Sequence, residues 1–341
     1  MNPQSLSIST WSIVKVVLVL VGLWFLYFIR DILAIFFVAL LLAAIIEPLA
    51  AWVAKFHIPR GVAVLLTYIV FFAILTTLII LLIPPVIEQV QDVTANLPAL
   101  WDRVSARFDE LRVYSEQAGI IENIQDMLTS LQGTLSQSAR GALATLTSIF
   151  GGLISLILVL VITFYIVVEE DALRRIIRSV FPDHALPYLT SMTRRMQERL
   201  GGWARGQLIL CCIIFVFAFI GLTLVGVKYA LLLALLAGFL EFIPYFGPIL
   251  SAIPIVILAF ADGPVRALLA LLVFVIIQQV ENHVLVPQVM SRAAGLNPVI
   301  SILALLIGAK LAGPVGMILA IPVATALSVI VQDVVTERKE Q

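Results

Sequence analysis

Glu241 opens the octapeptide EFIPYFGP, residues 241–248, where a carboxylate, two prolines and a glycine interrupt an apolar stretch running from 229 to 260. Further along, QQVENHVLVP places Gln278, Glu281 and Asn282 on one face at helical spacing, with Gln279 and His283 on the adjoining arc. Lys310 stands alone in a second apolar run. Ionisable groups are expensive in hydrocarbon and there pair with one another or line a pathway. A carboxylate can take up a proton or a cation, an amide both donates and accepts, and an ammonium can pair with a carboxylate. The expected path-lining set is therefore Glu241, Gln278, Glu281, Asn282 and Lys310, with Glu241 facing a cation or Lys310. Plainer readings stand beside it. Glu241 can simply hold a turn by hydrogen bonds, and the polar face around Gln278 can be a helix end surfacing, about 20 Å along a path of about 30 Å. His283 can relay a proton or be an ordinary satisfied histidine.

The elements that must position these groups are membrane helices. Hydrophobic residues make up 62% of the 341 residues and charged ones 12%, with a mean hydropathy of +1.11. A soluble domain runs to about half apolar and about a quarter charged. The formal net charge is zero, which gives no reason to expect a nucleic acid partner. Cys211 and Cys212 are neighbours in an apolar run, without metal-ligand spacing, and read as packing residues. His57, His184 and His283 are far apart, and no hydrolase, zinc or nucleotide-loop motif occurs. Neither enzymatic activity, a cofactor nor a bound metal is expected. The first apolar run has no small-residue cleavage site after it and reads as an uncleaved helix.

A span needs about 20 apolar residues. Full spans are expected at 11–29, 32–51, 62–83 (stopped by Pro84–Pro85), 149–168, 208–225 and 265–285, and interrupted stretches at 229–260 and 298–330. Residues 86–146 and 169–206 alternate apolar and charged residues at three- and four-residue spacing, as amphipathic helices outside the bilayer core do. They either connect spans or form an external cap and a cytoplasmic arm, the latter broken near Pro182. This divides the chain into 1–85, a three-helix membrane segment; 86–146, an extramembrane helical region; 147–168, the fourth span; 169–206, the arm; and 207–341, a repeat-containing region. Arg174, Arg175, Arg178, Arg194, Arg195, Arg199 and Arg205 put 169–206 inside, together with both termini, and 86–146 outside.

The two interrupted stretches share their landmarks. GVKYALLLALLAGFLEFIPYFGPILSAIPIVIL from Gly226 and GLNPVISILALLIGAKLAGPVGMILAIPVATAL from Gly295 each pass through LALL, a glycine, GP and IP in the same order. Each is about 48 Å long if helical throughout, too long for one straight span. A duplicated helix-plus-hairpin unit, inverted between its copies, fits both stretches. The tips or gates are then Pro244, Gly247 and Pro248 in one copy and Gly313, Pro314 and Gly316 in the other. The expected fold is an all-α integral membrane protein with about six full spans, two Pro/Gly-broken re-entrant hairpins and an external amphipathic segment.

EFIPYFGP, ENHVLVPQVM, GLNP and LIGAKLAGPVGMILAIPV together resemble the bacterial autoinducer-2 exporter family of permeases over nearly the whole chain. The resemblance implies a multi-pass protein of the bacterial inner membrane and a homo-oligomer, in particular a pentamer with a path in each protomer. It also implies export of the quorum-sensing signal autoinducer-2 or exchange of sodium or lithium for protons. The expected function is outward secondary transport of a small polar solute. Sodium–proton antiport is the alternative, and a non-transporting membrane scaffold is the alternative of another class. The expected partners are membrane lipids and the solute or a monovalent cation.

Overall fold

Leucine, isoleucine, valine and alanine dominate the apolar runs, and in hydrocarbon such runs must satisfy every backbone group internally, which makes them helices. A computed structural model of the protein describes residues 10–112, 153–169, 179, 182–290 and 296–340, and every regular element among them is helical. They are α1 (Thr10–Phe28), α2 (Arg30–Ala54), α3 (Arg60–Arg112), α4 (Leu153–Val168), α5 (Leu186–Val225), α6 (Ala230–Leu240), α7 (Phe246–Asp262), α8 (Pro264–Val280) and α9 (Pro298–Glu340). A π-helical turn, Glu281–Leu285, and a short helical turn, Val286–Val289, continue α8. Five helices among the described residues are long and apolar enough to cross a membrane: 32–54, 60–96, 186–225, 264–289 and 298–333. The protein is an integral membrane helical protein.

One expectation is corrected. Pro84–Pro85 does not end the third span, because α3 runs on as one helix to Arg112. The prolines remove two N–H donors, but Ile80 and Leu81, whose carbonyls lose those partners, are exposed. With those positions on the outside of the helix rather than buried against a neighbour, the helix survives the loss. The amphipathic part of α3 then folds over the second half of the chain. Leu100 and Val104 are buried in a core with Ile214 and Leu222 of α5, Leu233 of α6, Ile255 of α7 and Phe274 of α8. Asp92 accepts from Lys228 Nζ at 2.7 Å and Tyr229 Oη at 3.0 Å, and Gln89 Oε1 accepts from the Leu232 amide at 3.0 Å. The expected external region beyond 112, and the start of the basic arm with Arg174, Arg175 and Arg178, lie outside the described residues.

α5 is one helix across positions 206 and 207, so the arm's 186–206 portion and the fifth span are continuous. Pro182 is extended, with ψ 153°, and helix resumes just after it. The contacts of α5 with α6 and α8, and of α7 with α8, are rich in small residues such as Ala218, Ala234, Ala259 and Ala270, which let membrane helices approach closely. A separate core of Ala43, Ile46, Val64, Tyr68 and Val167 joins α2, α3 and α4. Arg205 Nη1 links α5 to α2 by donating to the Ala44 carbonyl at 2.7 Å. Nearer the start of α5, Arg195 pairs with Asp333 of α9, and Arg199 Nη2 donates to Gln332 Oε1 at 3.0 Å.

Candidate functional site

Both interrupted stretches break at their prolines and glycines and fold back. In the first, α6 ends at Leu240 and α7 starts at Phe246. Between them Tyr245 takes φ 67° and ψ −45°, and the Phe246 amide donates to the Pro244 carbonyl at 2.8 Å. This is a γ-turn of the rare positive-φ kind on a non-glycine residue, a strained conformation of the sort that gathers at functional sites. Gly247 packs on the Leu240 carbonyl so closely that a Cβ there would overlap it. In the second, Ala312 (φ −142°) and Gly313 (φ 58°) leave helical geometry inside α9, and Gly308 and Gly316 meet backbone to backbone. Residues eight apart on a straight helix stand about 12 Å apart, so their meeting shows the chain turning back.

A cavity of about 850 Å³ lies at the first break. Its walls are Trp203, Gln207 and Leu210 of α5; Glu241, Pro244, Tyr245, Pro248, Ile249 and Ala252 of the first hairpin; and Leu271, Phe274, Val275, Gln278 and Gln279 of α8. Glu281 and Asn282 of the π turn, Val286, Met290 and Leu296 close it with Ser301 and Ile321 of α9. Glu241 is 3% exposed and Glu281 5%. Their carboxyl groups are in hydrogen-bonding contact. Such a contact holds only with a proton or a cation between the two groups, since two bare carboxylates repel. Gln278 Nε2 donates to Glu281 Oε2 at 2.7 Å, and Gln207 Nε2 to the Glu241 carbonyl oxygen at 2.6 Å. The π turn adds a residue to the helical repeat where Glu281 turns inward, and π-bulges recur at functional sites.

Four of the five expected path residues, Glu241, Gln278, Glu281 and Asn282, thus line one cavity. Lys310 is exposed and is not among the lining residues. Of the expected tip residues, Pro244 and Pro248 line the cavity, Gly247 and Gly316 make the backbone crossings, Gly313 carries the positive φ, and Pro314 follows it, exposed. Gln279 lines the cavity, whereas His283 is exposed and its Nδ1 lies 3.0 Å from the Gln279 carbonyl oxygen. Sequence reasoning missed Gln207, Trp203, Tyr245 and Ser301. Gln207 carried a usable signal, being an amide at the start of an apolar run and four residues from Trp203, hence on the same helix face.

A sequence model of the AI-2E transporter family matches residues 13–336. The chain belongs to this family. It is 30% identical over 311 residues to the "Putative transport protein YueF" of Bacillus subtilis, covering 88% of this chain and 83% of that one. The "Putative permease PerM" of Escherichia coli is 27% identical over 327 residues, 94% of this chain and 92% of its own. The "Putative transport protein YrrI" of Bacillus subtilis is 26% identical over 294 residues, 86% and 83% of the two chains. Family and architecture together make this a multi-pass membrane protein with a transport role.

Proposed function

We propose that the protein is a secondary transporter that moves a small polar solute across the bacterial inner membrane, with the cavity at the first hairpin as its binding site. The observation that carries this is the Glu241–Glu281 pair, buried at a broken helix and backed by Gln278 and Gln207. Non-helical backbone at membrane depth is tolerated where it lines a polar cavity, and transporters place their sites at such breaks. α6 and α7, with 11 and 17 residues, are about 16 and 25 Å long, short of the roughly 30 Å of hydrocarbon. That supports a hairpin which enters the membrane and returns. Glu241 and Glu281 are the coupling groups, exchanging a proton or a monovalent cation as solute enters and leaves. Each protomer works through its own cavity within a homo-oligomer, and 169–206 and both termini face the cytoplasm.

Counterflow in proteoliposomes tests this. The panel is autoinducer-2, on the strength of the family resemblance, with sodium, lithium and protons. Wild-type protein should show solute counterflow, and Glu281→Gln should lose most of its proton coupling. Sodium-dependent proton flux without solute movement would favour the antiporter. Counterflow that ignores both Glu241→Gln and Glu281→Gln would remove the site.

A further inference from the structure

We infer that the seam between α5 and the second half of α9 is the passage between this cavity and the cytoplasm, held shut by the Arg195–Asp333 ion pair. The inference rests on the transport reading and names the residues that gate its site. Three contacts trace the seam. Trp203 of α5 and Ile321 of α9 share one buried core and both line the cavity. Further from the cavity, Arg199 meets Gln332 and Arg195 meets Asp333. Residue numbers fall along α5 as they rise along α9, so the two helices run antiparallel. From Trp203 to Arg195 the seam is about 12 Å long.

The seam is built to part. Its cavity end is apolar, but its far end is held by side chains that water reaches, 41% exposed for Arg195 and 19% for Asp333. Water and salt screen such a pair, so it breaks and re-forms more readily than a packed apolar contact. Between the two ends lies Thr325, four residues from Ile321 and four from Val329, on one side of α9. It is 1% exposed, and its Oγ1 has no hydrogen-bond partner among the described residues. Thr67, Thr77, Thr163, Thr190 and Thr193 instead donate to the carbonyl four residues back. A buried hydroxyl without a partner is costly, and parting the helices brings it water or a polar solute. α9 also carries a joint for this motion. Ala312 and Gly313 leave helical geometry just before the limb that holds Ile321, Thr325 and Asp333. A few such residues can absorb the dihedral change of a swinging limb.

The test reads the seam through Thr325→Cys, on a background of Cys211→Ala and Cys212→Ala, as its rate of modification by a water-soluble maleimide. The purified protein is held in lipid nanodiscs, where both membrane faces meet the reagent. Thr325→Cys alone should react slowly. Adding Asp333→Arg sets two cations against each other and should raise the rate about tenfold. Adding Arg195→Asp to that variant should bring the rate back down. Thr163→Cys, equally buried but between α4 and α2, should stay slow throughout, which separates opening of the seam from general loosening. Fast reaction without Asp333→Arg, no change with it, no recovery in the charge swap, or an equal rise at Thr163→Cys would overturn the inference. A second arm serves where charge reversal prevents folding. Bridging Arg195→Cys to Asp333→Cys with a bismaleimide should stop counterflow in proteoliposomes. If the bridged protein keeps a counterflow that needs Glu281, the gate is wrong and the transport reading stands. If no counterflow depends on either glutamate, both fall.

Discussion

Gln278 holds Glu281 by a single donor at 2.7 Å, and replacing that donor should be felt at the carboxyl pair. Gln278→Leu keeps the approximate volume and leaves Glu281 Oε2 without its partner. A hydrogen bond to a charged group contributes about 1.5–3 kcal/mol. The variant should therefore lower solute affinity by about tenfold or more while the protein still folds, read as KM in proteoliposome flux. An unchanged KM would show that Gln278 only surfaces there. Tyr245 allows the opposite kind of test. Its φ of 67° is a region glycine occupies without penalty, and strain on a non-glycine residue costs of order 1–3 kcal/mol. Tyr245→Gly should raise the melting temperature of the purified protein by a few degrees and reduce flux, since the ring also lines the cavity. A lower melting temperature would mean that the ring's packing outweighs the strain of its backbone.

The two hairpins show what could and could not be read in advance. Their breaks were legible because proline and glycine disrupt helices by local chemistry, and both breaks occur beside the paired GP landmark, whereas the IP prolines Pro254 and Pro322 stay inside helix. Pro84–Pro85 carried the same local signal and produced no break, because its unmet carbonyls sit on exposed positions rather than in a packed turn. Gln278, Glu281 and Asn282 were visible through helical spacing on one element. Gln207 and Ser301 come from other helices, and only tertiary packing brings them to the same cavity. The side-chain contact of Glu241 with Glu281, rather than with Lys310, is likewise a product of packing across forty residues. The backbone crossing of Gly308 and Gly316 gives this scale its own prediction. Gly316→Val puts side-chain atoms into the Gly308 carbonyl and should sharply reduce the yield of monodisperse protein. Gly22→Ala, with no atom within 4 Å of the added carbon, should not. Similar yields for both would contradict the close crossing.

Across the whole molecule, the extension of α3 ties the first three helices to the hairpin that holds the cavity, and its ion pair and its buried leucine should contribute unequally. Lys228 and Asp92 are a largely exposed pair, whose attraction water and salt screen, whereas truncating a buried leucine costs about 2–5 kcal/mol. Leu100→Ala should accordingly destabilise the protein clearly more than Asp92→Asn in thermal unfolding, and the reverse order would mean that the extension is held by its polar contacts. The central claim is that the cavity is a water-accessible transport site within the membrane. Its most direct test is cysteine labelling with a membrane-impermeant thiol reagent during flux measurement, on a background of Cys211→Ala and Cys212→Ala. Asn282→Cys lines the cavity, while Ile276→Cys is 53% exposed on α8 and is not a lining residue. The account predicts that Asn282→Cys reacts, is protected by transported solute and loses flux once modified, while Ile276→Cys stays unlabelled. Protection of both cysteines from reagent on both sides, or labelling of Asn282→Cys without loss of flux, would contradict it.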